Sequence, residues 1–154
     1  MKLQITPIRK VEDALVIWPE PTPDVDIVMD PKTMQMKPGS IKAIYAFDVL
    51  GSSGPENVIP TLENFFRMLQ PDGELYIIEH DFDYVARAYL GGDLPIDEFN
   101  RDFRRGTYLN QNEISALLNK VGFPEGMQKI WHKGIKFPKE HYQIIMSGKK
   151  PVTK

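Results

Sequence analysis

FFRMLQPDGELYIIEHD, residues 65–81, passes from one periodicity to another within a single stretch. Up to Gln70 the apolar residues recur at helical spacing. Val58, Leu62, Phe65, Phe66 and Leu69 fall on one stripe, which predicts a helix over 58–70. Asn57 is the expected N-cap, and Pro60 is tolerated if it sits in the first turn. Pro71-Asp72-Gly73 then reads as the stop, and ELYIIEH (74–80) as a strand. A helix that turns straight into an apolar strand is the repeating unit of a parallel α/β sheet.

Working outward, the upstream chain supplies the other strands. Leu3–Thr6 is a short candidate, stopped by Pro7. Ala14–Trp18 is a β-branched apolar run, closed by Pro19-Glu-Pro-Thr-Pro. Val25–Met29 ends at Asp30-Pro31. Ile41–Leu50 is nearly continuous in apolar character, as suits a strand covered on both faces. Downstream, residues 83–106 read as two helical pieces split at Gly91-Gly92-Asp93-Leu94-Pro95. Asn110 with Glu113 is a capping-box pattern. It opens a helix that carries Ile114, Leu117, Leu118 and Val121 on one face and stops at Gly122. Gly126–Lys133 and His141–Ser147 are the last expected strands. The division is one domain over 1–148 and a tail over 149–154.

Composition sets bounds on the class. The 154 residues are 42% hydrophobic and 26% charged, with a formal net charge of −2, ordinary values for a globular domain. That charge gives no reason to expect nucleic acid or an anionic membrane as a partner. No run approaches the length of a membrane span, and the start lacks a signal-peptide pattern. The absence of cysteine removes thiolate chemistry and disulfides. With three histidines, a metal site has little support. A cytoplasmic protein is the expectation.

The ordered set of segments resembles the class I S-adenosylmethionine (SAM)-dependent methyltransferases, the small Methyltransferase-11-like group in particular. Leu69-Gln70-Pro71-Asp72-Gly73 is similar to the family's Leu-Lys-Pro-Gly-Gly turn before its fifth strand. DIVMDPKTMQMKPGSIKAIYAFDVL resembles its third strand, connecting loop and fourth strand. LNQNEISALLNKVGF resembles the helix that ends in Ala-Gly-Phe, and HYQIIMSGKKP the closing antiparallel strand. The resemblance implies a Rossmann-like α/β fold: a mainly parallel seven-stranded sheet, its last strand antiparallel, with helices on both faces. It also implies a SAM cleft at the carboxyl ends of the strands.

The first motif departs from that family. Its first strand runs into a glycine-rich turn, because the cofactor approaches the backbone too closely for a Cβ. Here Thr6-Pro7-Ile8-Arg9 stands there, and only Ile8–Asp13 remains for the following helix. The family's acidic ribose acceptor falls on Trp18, with Glu20 two residues on as a substitute. Asp30 occupies the position that often contacts the adenine; the alternative is a turn-forming Asx residue before Pro31. The cofactor-binding candidates are thus Thr6, Glu20, Asp30 and Asp48.

Asp48 and His80 are the candidate catalytic residues. Both lie at strand ends, and a carboxylate or imidazole there suits a general base. Glu79 alternates to the other face of its strand from His80. Arg101, Arg104 and Arg105 share a helix face and would grip an anionic substrate, or simply form a solvated face. Two functions stand open. One is a SAM-dependent methyltransferase acting on a small molecule or sugar-like acceptor. The other is a non-catalytic homologue that lost SAM binding and serves as a binding module, a homodimer or a subunit of a catalytic partner.

Overall fold

The computed structural model describes residues 1–102, 107–124 and 143–152. Six strands form one sheet: β1 (Lys2–Ile5), β2 (Leu15–Trp18), β3 (Ile27–Val28), β4 (Ile41–Phe47), β5 (Leu69–His80) and β6 (Gln143–Lys149). Their order is β3-β2-β1-β4-β5-β6. All neighbours are parallel except β5 and β6, which run antiparallel over Glu74–His80. Among the described residues the helices are α1 (Pro55–Met68), α2 (Phe82–Leu90), α3 (Ile96–Asp102) and α4 (Gln111–Val121). The strand expected over 126–133 lies outside the described residues.

Strand alternation divides the core. Leu3, Ile5, Ile44, Ala46, Leu75 and Ile77 face α1 and α4, which bury Val58, Leu62, Phe65, Ile114 and Leu118 against them. The opposite face carries Ala43, Tyr45, Tyr76 and Ile78. There the rings of Tyr45 and Tyr76 stack at 4.8 Å. Val11 and Ala14, from the β1–β2 connection, complete that second cluster.

Three boundaries differ from expectation. First, α1 begins at Pro55, not after Asn57, with Gly54 as N-cap and no side-chain cap bond. Proline at the first helical position is preorganised and loses no bond there, and Glu56 in the first turn favours the helix dipole. Pro60 therefore falls in the second turn and cannot bond back to Glu56; it is exposed, so water can reach the spared carbonyl. Second, α1 ends at Met68 and the chain enters β5 at once. Pro71-Asp72-Gly73 is a bulge inside β5: Ile41 pairs with Leu69 and Ala43 with Glu74, so two steps on β4 oppose five on β5. Asp72 turns the bulge in the left-handed region (φ 67°). A Cβ on Gly73 would meet the Gln70 carbonyl at 2.8 Å. Third, the expected tail is in part structural. Lys149 closes β6, and the Lys150 ammonium donates to the Phe66 and Leu69 carbonyls, both at 2.7 Å.

The capping box at Asn110–Glu113 is present in both directions, and Gly122 ends α4 at φ 122°. The helical pair over 83–106 appears as α2 and α3, with Tyr89 stacked on Phe99 at 4.0 Å. Among the described residues no helix is long and apolar enough to cross a membrane.

Candidate functional site

In an open α/β sheet the ligand crevice lies outside the carboxyl ends of the strands, where neighbouring strands send their connections in opposite directions. Here that point is between β1 and β4. Thr6 follows β1, Trp18 ends β2, Asp30 follows β3, Asp48 follows β4 and His80 ends β5. Five residues singled out from sequence thus line one edge.

The β1 end is filled from within. Gln4 is fully buried. Its carboxamide oxygen accepts the amides of Lys10 (2.8 Å) and Val11 (2.5 Å), and its nitrogen donates to the Ile8 carbonyl (2.8 Å). Arg9 reaches the Ala14 carbonyl and the Asp26 carboxylate, each at 2.7 Å. Thr22 donates to the Pro7 carbonyl at 2.7 Å. The Val16 amide and then Arg9 hold the Asp26 carboxyl below its usual range. The short helix expected over Ile8–Asp13 does not form. Bends and a turn replace it, because Gln4 captures the amides that a helix would point along its own axis.

Thr6 is nearly buried in this turn. Trp18 is half-buried against the main core, and Glu20 is exposed beyond Pro19. Asp30 forms the Asx turn: its Oδ1 accepts the Lys32 amide at 2.9 Å. Arg101 belongs to α3, but its side chain and the whole of Arg104 and Arg105 lie outside the described residues.

The β4 and β5 ends carry the chemistry. The Asp48 amide makes a last rung to the Ile78 carbonyl at 2.8 Å, and Asp48 then turns the chain at φ 59°. This is the left-handed region that Asp tolerates better than most residues. The His80 Nδ1 lies 3.4 Å from the Asp48 carboxylate, an ion pair when the ring is protonated. Behind them sits Glu79, which is 2% exposed. Its two oxygens accept the amides of Leu50 (2.8 Å) and Gly51 (3.1 Å). Burial, then the Asp48 charge and a hydrogen bond to Asp48, push its carboxyl well above the usual range. The two amide bonds oppose that rise. The loop is tied in turn to the lead into α4, since Thr107 donates to the Gly51 and Ser53 carbonyls.

Sequence reasoning named Glu79 only as the residue facing away from His80. The missed signal was a carboxylate inside an apolar strand, which demands partners because charge is rarely buried alone. Among the described residues no cluster of histidine and carboxylate groups suits a metal ion.

No family model matches the sequence, and no curated protein is similar to it. Solved structures are similar. Burkholderia thailandensis 1,6-didemethyltoxoflavin-N1-methyltransferase, with 1,6-didemethyltoxoflavin and S-adenosylhomocysteine bound, superposes with a TM-score of 0.62 at 12% identity, over 97% of this chain and 71% of that one. This chain has the class I SAM-dependent methyltransferase fold. A complex containing the Haloferax volcanii Trm112 methyltransferase activator matches with a TM-score of 0.61 at 14% identity, over 90% of this chain and 72% of that one. A Pyrococcus horikoshii protein matches with a TM-score of 0.57 at 16% identity, over 83% of this chain. The methyltransferase-fold chain described here spans 60% of the length of that protein.

Proposed function

We propose that this protein is a methyltransferase-fold homologue that does not hold SAM in the family manner, and that it works in the cytoplasm as a binding or partner subunit. The observation that carries this is the closed turn after β1. The amides of Lys10 and Val11 are engaged by Gln4, and Arg9 pins the segment to Ala14 and Asp26. Pro7 brings a ring and no donor to the point where a cofactor needs open backbone. Trp18 at the end of β2 offers an indole N–H and no acceptor for ribose hydroxyls. Losing two such contacts weakens binding by roughly three orders of magnitude. The activator complex among the similar structures supports a role beside a partner chain. A second copy of this chain is the other candidate partner.

A second reading keeps catalysis: a SAM-dependent transfer to a small molecule or sugar-like acceptor, with Asp48 or His80 as base. It is favoured by the 3.4 Å approach of His80 to Asp48 at the sheet edge. Rate would come mainly from holding nucleophile and methyl group in line.

Calorimetric titration with SAM and with S-adenosylhomocysteine separates the two. The expected result is no heat of binding and no thermal shift at millimolar ligand. Micromolar binding of either compound would sink the first reading and support the second.

A further inference from the structure

We propose that the outward stripe of α4 is a contact surface for a second copy of this chain, the two helices lying antiparallel about a two-fold axis between Ala116 and Leu117. α4 buries Ile114 and Leu118 in the main core. Glu113, Ala116, Leu117 and Lys120 recur at i, i+3, i+4 and i+7, so they share the flank beside that buried stripe. Glu113, Ala116 and Lys120 are exposed, and Leu117 is half-buried. A groove of about 370 Å³ follows these four residues, and Tyr108 and Leu109 from the lead into α4 complete its lining. The Tyr108 ring lies 5.6 Å from that of Phe82, which braces this part of the wall. The groove is thus apolar along its floor, acidic at the first turn of α4 and basic at the last.

Such a stripe is its own complement. Glu113 and Lys120 lie two turns apart, about 10 Å along the axis, with Ala116 and Leu117 midway between them. Rotation about that midpoint sets Glu113 opposite the partner's Lys120 and Lys120 opposite the partner's Glu113. Both contacts form together, as an isologous interface requires. Leu117 falls over the partner's Ala116, a large side chain on a small one, which lets the helices pack closely. A parallel, in-register pair would set like charges face to face. One Glu113 oxygen accepts the Asn110 amide at 2.9 Å, which holds the carboxylate in place and leaves its other oxygen for the ammonium. The 11 residues of α4 give a face about 16 Å long, too small to bury the roughly 800 Å² per partner of a standard interface. The contact is therefore weak, with the dimer populated toward millimolar concentration. It stands whether or not SAM binds, so its failure and that of the reading above are told apart by separate measurements.

Sedimentation equilibrium of the full chain from micromolar to millimolar concentration tests it. The wild type is expected to pass from monomer to dimer, and the dimer to weaken when salt is raised. Lys120→Glu and Glu113→Lys each place like charges at both contacts and should weaken association roughly tenfold. An equimolar mixture of the two variants pairs opposite charges again and should recover wild-type association. Ala116→Arg, a change at an exposed position, should leave the chain folded and monomeric. A single-chain mass at every concentration overturns the proposal. So does a dimer that Ala116→Arg leaves intact, or a loss in the single variants that mixing does not restore. If Glu113→Lys fails to fold for want of its cap, Lys120→Glu and Ala116→Arg still decide, because neither residue belongs to the capping box or the core.

Discussion

A buried glutamine at the fourth residue brackets the turn that follows β1. Gln4 gives three hydrogen bonds to a segment with no regular structure of its own. Buried amides must be paired, and leaving one unmade costs roughly 1–3 kcal/mol. Gln4→Leu keeps the volume and strands the amides of Lys10 and Val11 and the carbonyl of Ile8. The expected loss is about 3 kcal/mol, read as a lower urea midpoint with an unchanged slope. Gln4→Glu should do little better, since a carboxylate accepts both amides but faces the Ile8 carbonyl without a donor. A loss under about 0.5 kcal/mol in Gln4→Leu would mean that the turn is held elsewhere, by Arg9 and Thr22. This residue was invisible as a determinant in the sequence. A glutamine in a four-residue strand has no pattern that marks it as a buried bracket, and its partners are fixed only once the chain has turned back.

Elements were more legible than residues, for reasons that differ along the chain. The helices α1 and α4 announce themselves by period, because each buries one stripe, and the strands β1, β2, β4 and β5 by short apolar runs, because the sheet is covered on both faces. Asn110 and Glu113 specify the start of α4 locally, and the structure shows the reciprocal cap. α1 starts earlier than the cap signal of Asn57 predicts, because Pro55 takes the first helical position. Its end was misplaced because Pro71-Asp72-Gly73 has the composition of a turn, yet here it is carried through a strand as a bulge. What keeps the bulge in the sheet is distant in sequence: the Asp72 amide donates to the Lys150 carbonyl at 3.0 Å and the Lys150 amide to the Gly73 carbonyl at 2.8 Å. The Lys150 side chain also crosses to the open end of α1, with its ammonium 4.8 Å from the centre of the Phe66 ring. Desolvation pushes its pKa below the usual lysine value. Lys150→Met keeps the stem over Phe66 and removes the donors. It should cost roughly 1–3 kcal/mol, the range for hydrogen bonds to a charged group. The loss should show first as weaker protection of amides in the last turn of α1. If Lys150→Met matches the wild type in both measurements, the tail contributes only its backbone to the fold.

At the scale of the molecule the sheet is uneven. β4, β5 and β6 pair over long registers and are backed by α1 and α4, whereas β2 and β3 pair at Ile17–Ile27 and Trp18–Val28 alone. Half of the site edge therefore stands on a firm base, at Asp48, Glu79 and His80, and half on the thin β1–β3 side. What joins β2, β3 and the closed turn is Arg9 with Asp26, whose carboxylate also accepts the Val16 amide at 2.8 Å. Both side chains are about a third exposed, so the ion pair alone is worth little. The bond of Arg9 to the Ala14 carbonyl and the bond of Asp26 to Val16 make the pair a bracket between elements. Removing it should act locally. In native-state hydrogen exchange, Arg9→Ala should lower the opening free energy of amides in residues 14–28 by about 1–2 kcal/mol. The amides of Ile44, Ile77 and Ile145 should exchange as in the wild type. A uniform loss across both halves would mean that the sheet opens as one unit. A loss confined to 14–28 would show that the β2–β3 side opens while the rest of the sheet stays closed.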